Sequence, residues 1–94
     1  MNSLTEFQKR VYKIVKKIPR EKVLTYKQVA VRLGNAKLAR AVGNALNKNK
    51  DPKVPCHRVV RSNGKVGGYA YGIRKKILIL KKEGAMIKNG RVVL

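Results

Sequence analysis

The chain has 94 residues, and its 24 lysines and arginines against 4 acids give a net charge of +20. This length allows one domain with a modest core, and a hydrophobic share of 44% is typical of a globular protein rather than a disordered one. Because so few acids cannot neutralise the cations, we expect a polyanionic partner. Nucleic acid, ribosomal RNA included, is the commonest polyanion, although charge alone also allows an acidic membrane.

Cysteine content and hydropathy limit the cellular compartment and the kinds of site that the chain can contain. Cys56 is the only cysteine, which excludes an internal disulfide and a cysteine-cluster zinc site and fits a reducing compartment. No apolar run approaches the roughly 18 residues of a membrane-spanning helix, and the first ten residues lack the apolar region of a signal peptide. We therefore expect an intracellular protein, cytoplasmic or nucleoid-associated, that is monomeric and holds no metal.

Hydrophobic spacing predicts a helix near each end of the chain. The first covers residues 4–18, with Ser3 and Glu6 at capping-box spacing and Pro19 after its end. The other covers residues 73–83. Its apolar residues, expected to face the core, are Ile73, Ile77, Leu78 and Leu80.

Two further helices are predicted close together in the first half of the chain. Thr25 and Gln28 repeat the capping-box spacing at the start of one helix, which Gly34 ends. Asn35 can cap the next helix, over residues 36–46. Two short helices joined by a glycine-containing turn indicate a helix-turn-helix.

The third predicted helix carries two adjacent stripes. One is polar and consists of Lys37, Arg40, Asn44 and Lys48. The other consists of very small residues, Ala36, Ala39 and Gly43. Small side chains beside cations let a helix approach a nucleic-acid groove closely, but tight packing between helices explains the same residues equally well.

The second half of the chain contains two hairpin signals. Residues 59–66 predict a hairpin with a type I′ turn at Asn63-Gly64, and residues 86–93 predict a second hairpin, or wing, around Asn89-Gly90. The predicted fold is therefore mainly α with small β hairpins, a winged helix-turn-helix-like single domain over residues 1–94.

Cys56 and His57 are the only cysteine and the only histidine, and they are adjacent. Positive charge nearby favours a thiolate, and an imidazole can act as a general base, so the pair is a candidate reactive thiol. A lone buried cysteine is as often a packing residue. In an extended segment the two side chains would point apart, so contact needs a turn or a bridging water.

Glu83 and three tyrosines are further candidates. A carboxylate near a helix C-terminus is disfavoured by the macrodipole, so Glu83 indicates a specific cationic or imidazole partner, unless it only softens repulsion between surface lysines. Tyr26, Tyr69 and Tyr71 suit stacking on bases or hydrogen bonding to them, while a structural role is the usual alternative.

The Cys-His pair lies within a longer motif. Residues 54–60, VPCHRVV, resemble the acceptor-site motif of the O6-methylguanine-DNA alkyltransferases, also called methylated-DNA–protein-cysteine methyltransferases. Further matches follow in the family's order at residues 25–30, 34–35, 39–43, 49, 64, 66–69, 80 and 83–84. The resemblance covers essentially the whole chain and corresponds to the family's C-terminal DNA-binding and catalytic domain.

The resemblance implies a single-turnover repair reaction without a cofactor. An O6-alkylguanine would flip out of double-stranded DNA, and the Cys56 thiolate would take its alkyl group irreversibly. His57 would remove the thiol proton through a water, and Glu83 would orient the imidazole. Tyr26 would donate a hydrogen bond to guanine N3 as negative charge develops on the leaving base.

The resemblance also implies how DNA is held. The third helix would enter the minor groove, with Arg40 taking the place of the flipped nucleotide. The other DNA-binding residues would be Ala36, Lys37, Ala39, Gly43 and Asn44. The residues of the substrate pocket and the cysteine turn would be Asn49, which organises that turn, Val54, Pro55, Arg58, Tyr69 and Ala70.

The chain differs from the family pattern in two respects. It starts directly at the catalytic domain, so we expect the family's N-terminal domain to be absent, as in the alkyltransferase-like lesion sensors. Those sensors lack the acceptor cysteine, whereas Cys56 is present here, and Ala70 stands where serine is frequent. The alternatives to repair are therefore a lesion-binding sensor, a plain winged-helix DNA-binding protein and a cysteine hydrolase. The hydrolase has the least support, because the sequence shows no oxyanion-hole signature.

Overall fold

A computed structural model describes residues 4–66 and 72–93, so Ser3, Tyr69, Ala70 and Tyr71 of the sequence predictions lie outside the described residues. In the described ranges the chain folds into four α-helices, two 3₁₀ turns and two small sheets, which confirms the predicted fold class. In chain order the elements are α1 (Glu6–Lys16), β1 (Leu24–Thr25), α2 (Tyr26–Arg32), a 3₁₀ turn (Ala36–Leu38), α3 (Ala39–Asn47), a 3₁₀ turn (Cys56–Arg58), β2 (Val59–Val60), α4 (Ile73–Lys82), β3 (Ile87–Lys88) and β4 (Arg91–Val92).

Thr5 and Gln8 form a capping box at the start of α1, whereas the predicted pair includes Ser3, which lies outside the described residues. The Thr5 hydroxyl accepts from the Gln8 amide at 3.0 Å, and the Gln8 side chain accepts from the Thr5 amide at 2.9 Å. The same Ser/Thr-x-x-Glu/Gln spacing recurs two residues later, and the later pair begins the helix. Glu6 becomes the first helical residue, where an anion is favourable.

The helix-turn-helix prediction is confirmed. Thr25 and Gln28 form the capping box of α2, and Gly34 follows the helix in a left-handed conformation with φ of 105°. The Asn35 side chain caps the next element, whose first turn is the 3₁₀ turn before α3. Val42, Ala45 and Leu46 of α3 are buried.

The first predicted hairpin is wrong in its pairing. Val59 and Val60 pair in parallel with β1, Leu24 against Val59, because both valines are fully buried and need partners on either side. The turn itself exists, since Gly64 N donates to Arg61 O and Arg61 N donates to Lys65 O, both at 2.9 Å. Gly64 has a φ of 85°, but Asn63 is not left-handed, so the turn is not type I′.

The second predicted hairpin is confirmed. Strands β3 and β4 pair antiparallel, and both turn residues, Asn89 and Gly90, have positive φ, as a type I′ turn requires. Lys65 bridges Arg91 of β4, so the hairpin extends the 61–65 turn. No helix in residues 4–66 or 72–93 has the length and apolar character needed to cross a membrane.

Helix α4 buries only part of the predicted face, since Leu80 is buried and Ile77 packs against the buried cluster that contains it. Ile73 and Leu78 are 54% and 60% exposed, whereas Lys76 is fully buried with Leu80. The buried face therefore follows Lys76, Leu80 and Glu83 at four- and three-residue steps. Hydrophobicity alone cannot find this face, because one of its members is a lysine.

Two buried clusters meet at strand β2. Val59 belongs to the larger cluster, formed by α1, α2 and α3. Val60, pointing the other way, belongs to a smaller cluster with Val66, Leu80 and Val92. The Cys56–Arg58 turn leads directly into this strand, so the candidate reactive residues are anchored where the two clusters join.

Candidate active site

Cys56 and His57 lie on a 3₁₀ turn between Pro55 and β2. The Arg58 amide donates to the Pro55 carbonyl at 2.9 Å, and the Cys56 amide donates to the Val54 carbonyl at 2.8 Å. The segment is therefore not extended, and the geometric objection to a cooperating Cys-His pair is removed. Cys56 is a free cysteine of intermediate exposure.

Glu83, at the C-terminal cap of α4, binds the two residues that follow the cysteine. Its Oε1 lies 2.9 Å from His57 Nε2 and accepts from Arg58 Nε at 2.9 Å, and its Oε2 accepts from Arg58 Nη2 at 2.6 Å. All three side chains are only 11–14% exposed. Glu83 thus has both the cationic partner and the imidazole partner that its position indicates.

The environment sets the charge states in this cluster. The hydrogen bond from Arg58 lowers the pKa of Glu83 against the opposing effect of burial, so the carboxylate stays ionised. The pKa of His57 is lowered, because burial, as the largest influence, acts together with the charges of Arg58 and Lys76 against the hydrogen bond and charge of Glu83. A neutral imidazole donating from Nε2 to the carboxylate carries its lone pair on Nδ1, which is the nitrogen able to accept a proton.

Asn49 ties together the loop that leads to the cysteine. Its Nδ2 donates to the carbonyls of Asp51 and Val54 at 3.1 and 3.4 Å, and its Oδ1 accepts from the Asp51 amide at 3.1 Å. Asn49 is 8% exposed and Val54 is 4% exposed. These bonds fix the residues immediately before Pro55.

A cleft of about 320 Å³ opens beside the cysteine turn. Its lining residues are Asn49, Lys50, Asp51, Pro52, Val54, Cys56, His57, Lys75 and Ile79. The structure therefore brings together six of the predicted residues, namely Asn49, Val54, Pro55, Cys56, His57 and Arg58. Glu83 joins them through its contact with His57.

Tyr26 lies on another side of the cysteine, at the first position of α2. Burial raises the pKa of its phenol, Arg61 opposes this and an ionised Cys56 would add to it, so at neutral pH the hydroxyl keeps the proton that it can donate. Its ring faces Gly43 of α3, where an added Cβ would lie 3.8 Å from the ring. That is ordinary contact, so packing against Tyr26 does not by itself demand glycine at position 43.

Lys76 is the residue near the cysteine that sequence reasoning misses. Its Nζ donates to the Val59 carbonyl at 2.8 Å and lies 5.8 Å from the centre of the Tyr26 ring. Burial lowers the pKa of Lys76 to about 8, an ionised Cys56 would oppose that shift, and the charge of Arg61 adds to it. The available signal was a lysine four residues before Leu80 and seven before Glu83, on the buried face of a helix.

The predicted DNA-binding helix presents its polar stripe to solvent. All four residues of the stripe, Lys37, Arg40, Asn44 and Lys48, are exposed. The neighbouring small residues, Ala36, Ala39 and Gly43, are partly buried. A continuous exposed strip of cations and an amide with little side-chain bulk beside it suits a helix that lies against a polyanion.

Residues 6–85 match the family described as 6-O-methylguanine DNA methyltransferase, DNA binding domain. The chain belongs to this family. A methylated-DNA–protein-cysteine methyltransferase of Methanosarcina acetivorans is 49% identical over 86% of the chain and 53% of the relative, and one of Methanothermobacter thermautotrophicus is 45% identical over 90% and 48%. A bifunctional methyltransferase/endonuclease of Picrophilus torridus is 44% identical over 89% of the chain but 28% of the relative.

Solved structures of the family share the fold. The Mycobacterium tuberculosis OGT in complex with DNA has a TM-score of 0.82 and 40% identity, over 86% of this chain and 50% of that one. Schizosaccharomyces pombe Atl1, in complex with damaged DNA containing O6-carboxymethylguanine, has a TM-score of 0.80 and 33% identity, over 93% and 83%. The chain spans about half the length of the methyltransferases that it matches and most of Atl1.

Proposed function

We propose that this chain repairs DNA by transferring the alkyl group of an O6-alkylguanine to the Sγ of Cys56, once per molecule. The observation that carries the proposal is the turn in which this thiol adjoins His57, whose Nε2 lies 2.9 Å from the buried carboxylate of Glu83. Family membership supports it, because relatives that share about half their length with this chain are named for methyl transfer to a protein cysteine.

In the proposed reaction the bond from Sγ to the alkyl carbon forms as the bond from that carbon to guanine O6 breaks. Nδ1 of His57 accepts the thiol proton through a water, since Nε2 is engaged by Glu83. Guanine leaves with the electron pair of the broken bond and is finally neutralised by that proton. Tyr26, which keeps its hydroxyl proton, donates to guanine N3 while the charge is present.

Glu83 and Arg58 support the base rather than react. An ionised carboxylate against Nε2 orients the ring and stabilises the imidazolium that forms when His57 accepts the proton. Arg58 holds both carboxylate oxygens, and its Nη1 donates to the Ile18 carbonyl at 2.6 Å, so the carboxylate cannot turn away. Asn49 acts one step earlier by fixing the loop before the cysteine.

DNA is proposed to lie along α3, whose exposed polar stripe includes Arg40. The net charge of +20 supplies the attraction to phosphates, which is largely independent of base sequence. Arg40 would fill the gap that the flipped nucleotide leaves. Flipping costs a few kcal/mol and least for a damaged base, which supplies a first source of selectivity.

A second candidate function is a lesion sensor that binds alkylated guanine without repairing it. The observation that favours it is the structural fit to Atl1, which was solved with damaged DNA and matches with a TM-score of 0.80 and 33% identity over 83% of its length. The presence of Cys56 in a turn with His57 favours repair instead.

Mass spectrometry after incubation with a duplex that carries one O6-methylguanine separates the two functions. Repair requires one methyl group on the Cys56 peptide for each lesion lost, and Cys56→Ser must abolish the transfer while DNA binding stays nearly unchanged. Tight lesion binding with an unmodified thiol would establish the sensor. Clearance of the lesion by Cys56→Ser would contradict the proposed acceptor.

A further inference from the structure

We propose that Arg61, Lys65 and Arg91 form a second, preorganised cleft for DNA phosphates, on the hairpin side of the cysteine turn and separate from the α3 surface. The inference rests on the proposed function, since it assumes that duplex DNA is the partner. It adds a phosphate-binding surface that neither the motif residues nor the helix-turn-helix accounts for.

The cleft has a volume of about 550 Å³ and three cationic walls. Its lining residues are Arg61, Lys65, Val66, Ile73, Asn89, Gly90 and Arg91, with no carboxylate among them. The chain's four acids are engaged or located elsewhere. Glu6 pairs with Lys9, Asp51 binds the Lys53 amide, Glu83 binds Arg58, and Glu21 lies against Gly84.

Backbone hydrogen bonds fix the positions of the three cationic residues relative to one another. Arg61 and Lys65 sit at the two ends of one closed turn, and Arg91 is the β-bridge partner of Lys65. The Val92 amide donates to the Gly64 carbonyl at 2.8 Å, and a Cβ on Gly64 would come 2.7 Å from the Val92 carbonyl oxygen. Because turn and hairpin are in direct contact, the backbone that carries the three cations is already ordered before an anion binds.

The cleft begins close to the cysteine turn along the chain, because Arg61 directly follows strand β2 and the cysteine turn leads into that strand. The charge of Arg61 opposes the rise in the pKa of Tyr26 and adds to the fall in the pKa of Lys76, so its guanidinium is within electrostatic reach of both side chains. Lys65 and Arg91 then continue the positive surface from Arg61 toward the tip of the hairpin. If a nucleotide is flipped toward Cys56, this row of cations would meet the phosphates next to it in the same DNA strand.

The exposed Ile73 fits the same use. It is 54% exposed at the start of α4 and lines the cleft beside the cations. An apolar side chain among three cations suits a ligand with both charged and apolar parts, as the sugar-phosphate backbone has. A free inorganic anion would not use it.

The test measures binding of an undamaged fluorescent duplex across a range of salt concentrations. The variants are Arg61→Gln, Lys65→Gln and Arg91→Gln, with Lys17→Gln at the end of α1 as the matched control for loss of one exposed charge. Each cleft variant should reduce the slope of log K against log salt by about 0.9, the value for one lost phosphate contact. Arg61→Lys should restore most of the slope.

Two results separate failure of the cleft from failure of the proposed function. If the three variants keep the slope of Lys17→Gln, DNA does not use the cleft, whatever the fate of Cys56. If the unchanged protein binds duplex DNA without salt dependence, both the cleft and the proposed function fail. Because phosphate contacts carry no base information, the loss should be equal on lesion and undamaged duplexes, and a loss confined to lesion DNA would also overturn the cleft.

Discussion

Arg58 donates to both carboxylate oxygens of Glu83, at 2.9 and 2.6 Å, with both side chains largely shielded from water. The pair joins the cysteine turn to the end of α4, and the third nitrogen of Arg58 extends the link to the carbonyl that follows α1. Bidentate geometry of this kind is the strong form of an ion pair. The same pair keeps the carboxylate of Glu83 ionised where it contacts His57.

Replacing Glu83 by Gln should reduce the free energy of unfolding by about 2–3 kcal/mol, because the Arg58 guanidinium loses its charged partner while remaining shielded. Urea denaturation followed by circular dichroism measures the loss. Glu6→Gln is the matched control, since Glu6 is exposed and its contact with Lys9 is 3.5 Å, and it should change stability by less than about 0.5 kcal/mol. Equal losses in the two variants would mean that the ion pair between Arg58 and Glu83 contributes no more stability than an exposed one.

Acid should destabilise the fold in two steps. The folded-state pKa of His57 lies below its ordinary 6.5, so the unfolded chain takes up the proton first and stability starts to fall below about pH 6.5. The folded-state pKa of Glu83 is also lowered, so its contribution is present above about pH 4.5 and is lost as the pH falls through the folded-state pKa. His57→Asn should remove the upper step and weaken the lower one without abolishing it, because Arg58 still lowers the pKa of Glu83. The urea midpoint between pH 7 and 3 measures both steps, and a single step in the unchanged protein would contradict the assignment.

Alkali should stabilise the fold through Lys76. Its pKa is about 8 in the folded chain against 10.5 ordinarily, so the unfolded chain binds the proton more tightly and stability rises with pH above 8. The gain between pH 7 and 9.5 should be about 2 kcal/mol. Lys76→Met, which keeps the length of the side chain without its charge, should be insensitive to pH over this interval, whereas exposed Lys81→Met should retain the rise.

Two glycines should respond oppositely to alanine. Gly43 is helical with room for a methyl group beside Tyr26, so Gly43→Ala should stabilise the chain by up to about 1 kcal/mol. Gly64 has a φ of 85° and would place a Cβ 2.7 Å from the Val92 carbonyl oxygen, so Gly64→Ala should destabilise by about 2–3 kcal/mol. Thermal denaturation of both variants measures the difference, and a stabilised Gly64→Ala would disprove the close contact.

Local patterns predicted the features that depend on neighbouring residues. The Thr25 capping box, the end of α2 at Gly34 and the Asn89-Gly90 turn follow from side chains a few positions apart, and the structure confirms each. The pairing of Val59 with Leu24 was not predictable in this way, because it joins residues 35 positions apart and competes with an equally good local turn signal.

The site divides along the same line. Cys56, His57 and Glu83 stand out by rarity and motif, so sequence identifies them without knowing their contacts. Lys76 does not stand out among 24 cations, and its placement against Val59 and Tyr26 depends on how α4 packs onto β2. Tyr69 and Ala70 remain predictions from resemblance, outside the described residues.

Strand β2 is only two residues long, yet its two side chains enter different buried clusters. The smaller cluster draws Val60 and Val66 from before residues 67–71 and Leu80 and Val92 from after them. A chain cut between residues 66 and 72 would therefore leave neither fragment with that cluster complete, and the C-terminal piece would have to dock on the N-terminal one to fold. Complementation between two such fragments would therefore show whether His57 and Arg58 of the cysteine turn can contact Glu83 of the other fragment.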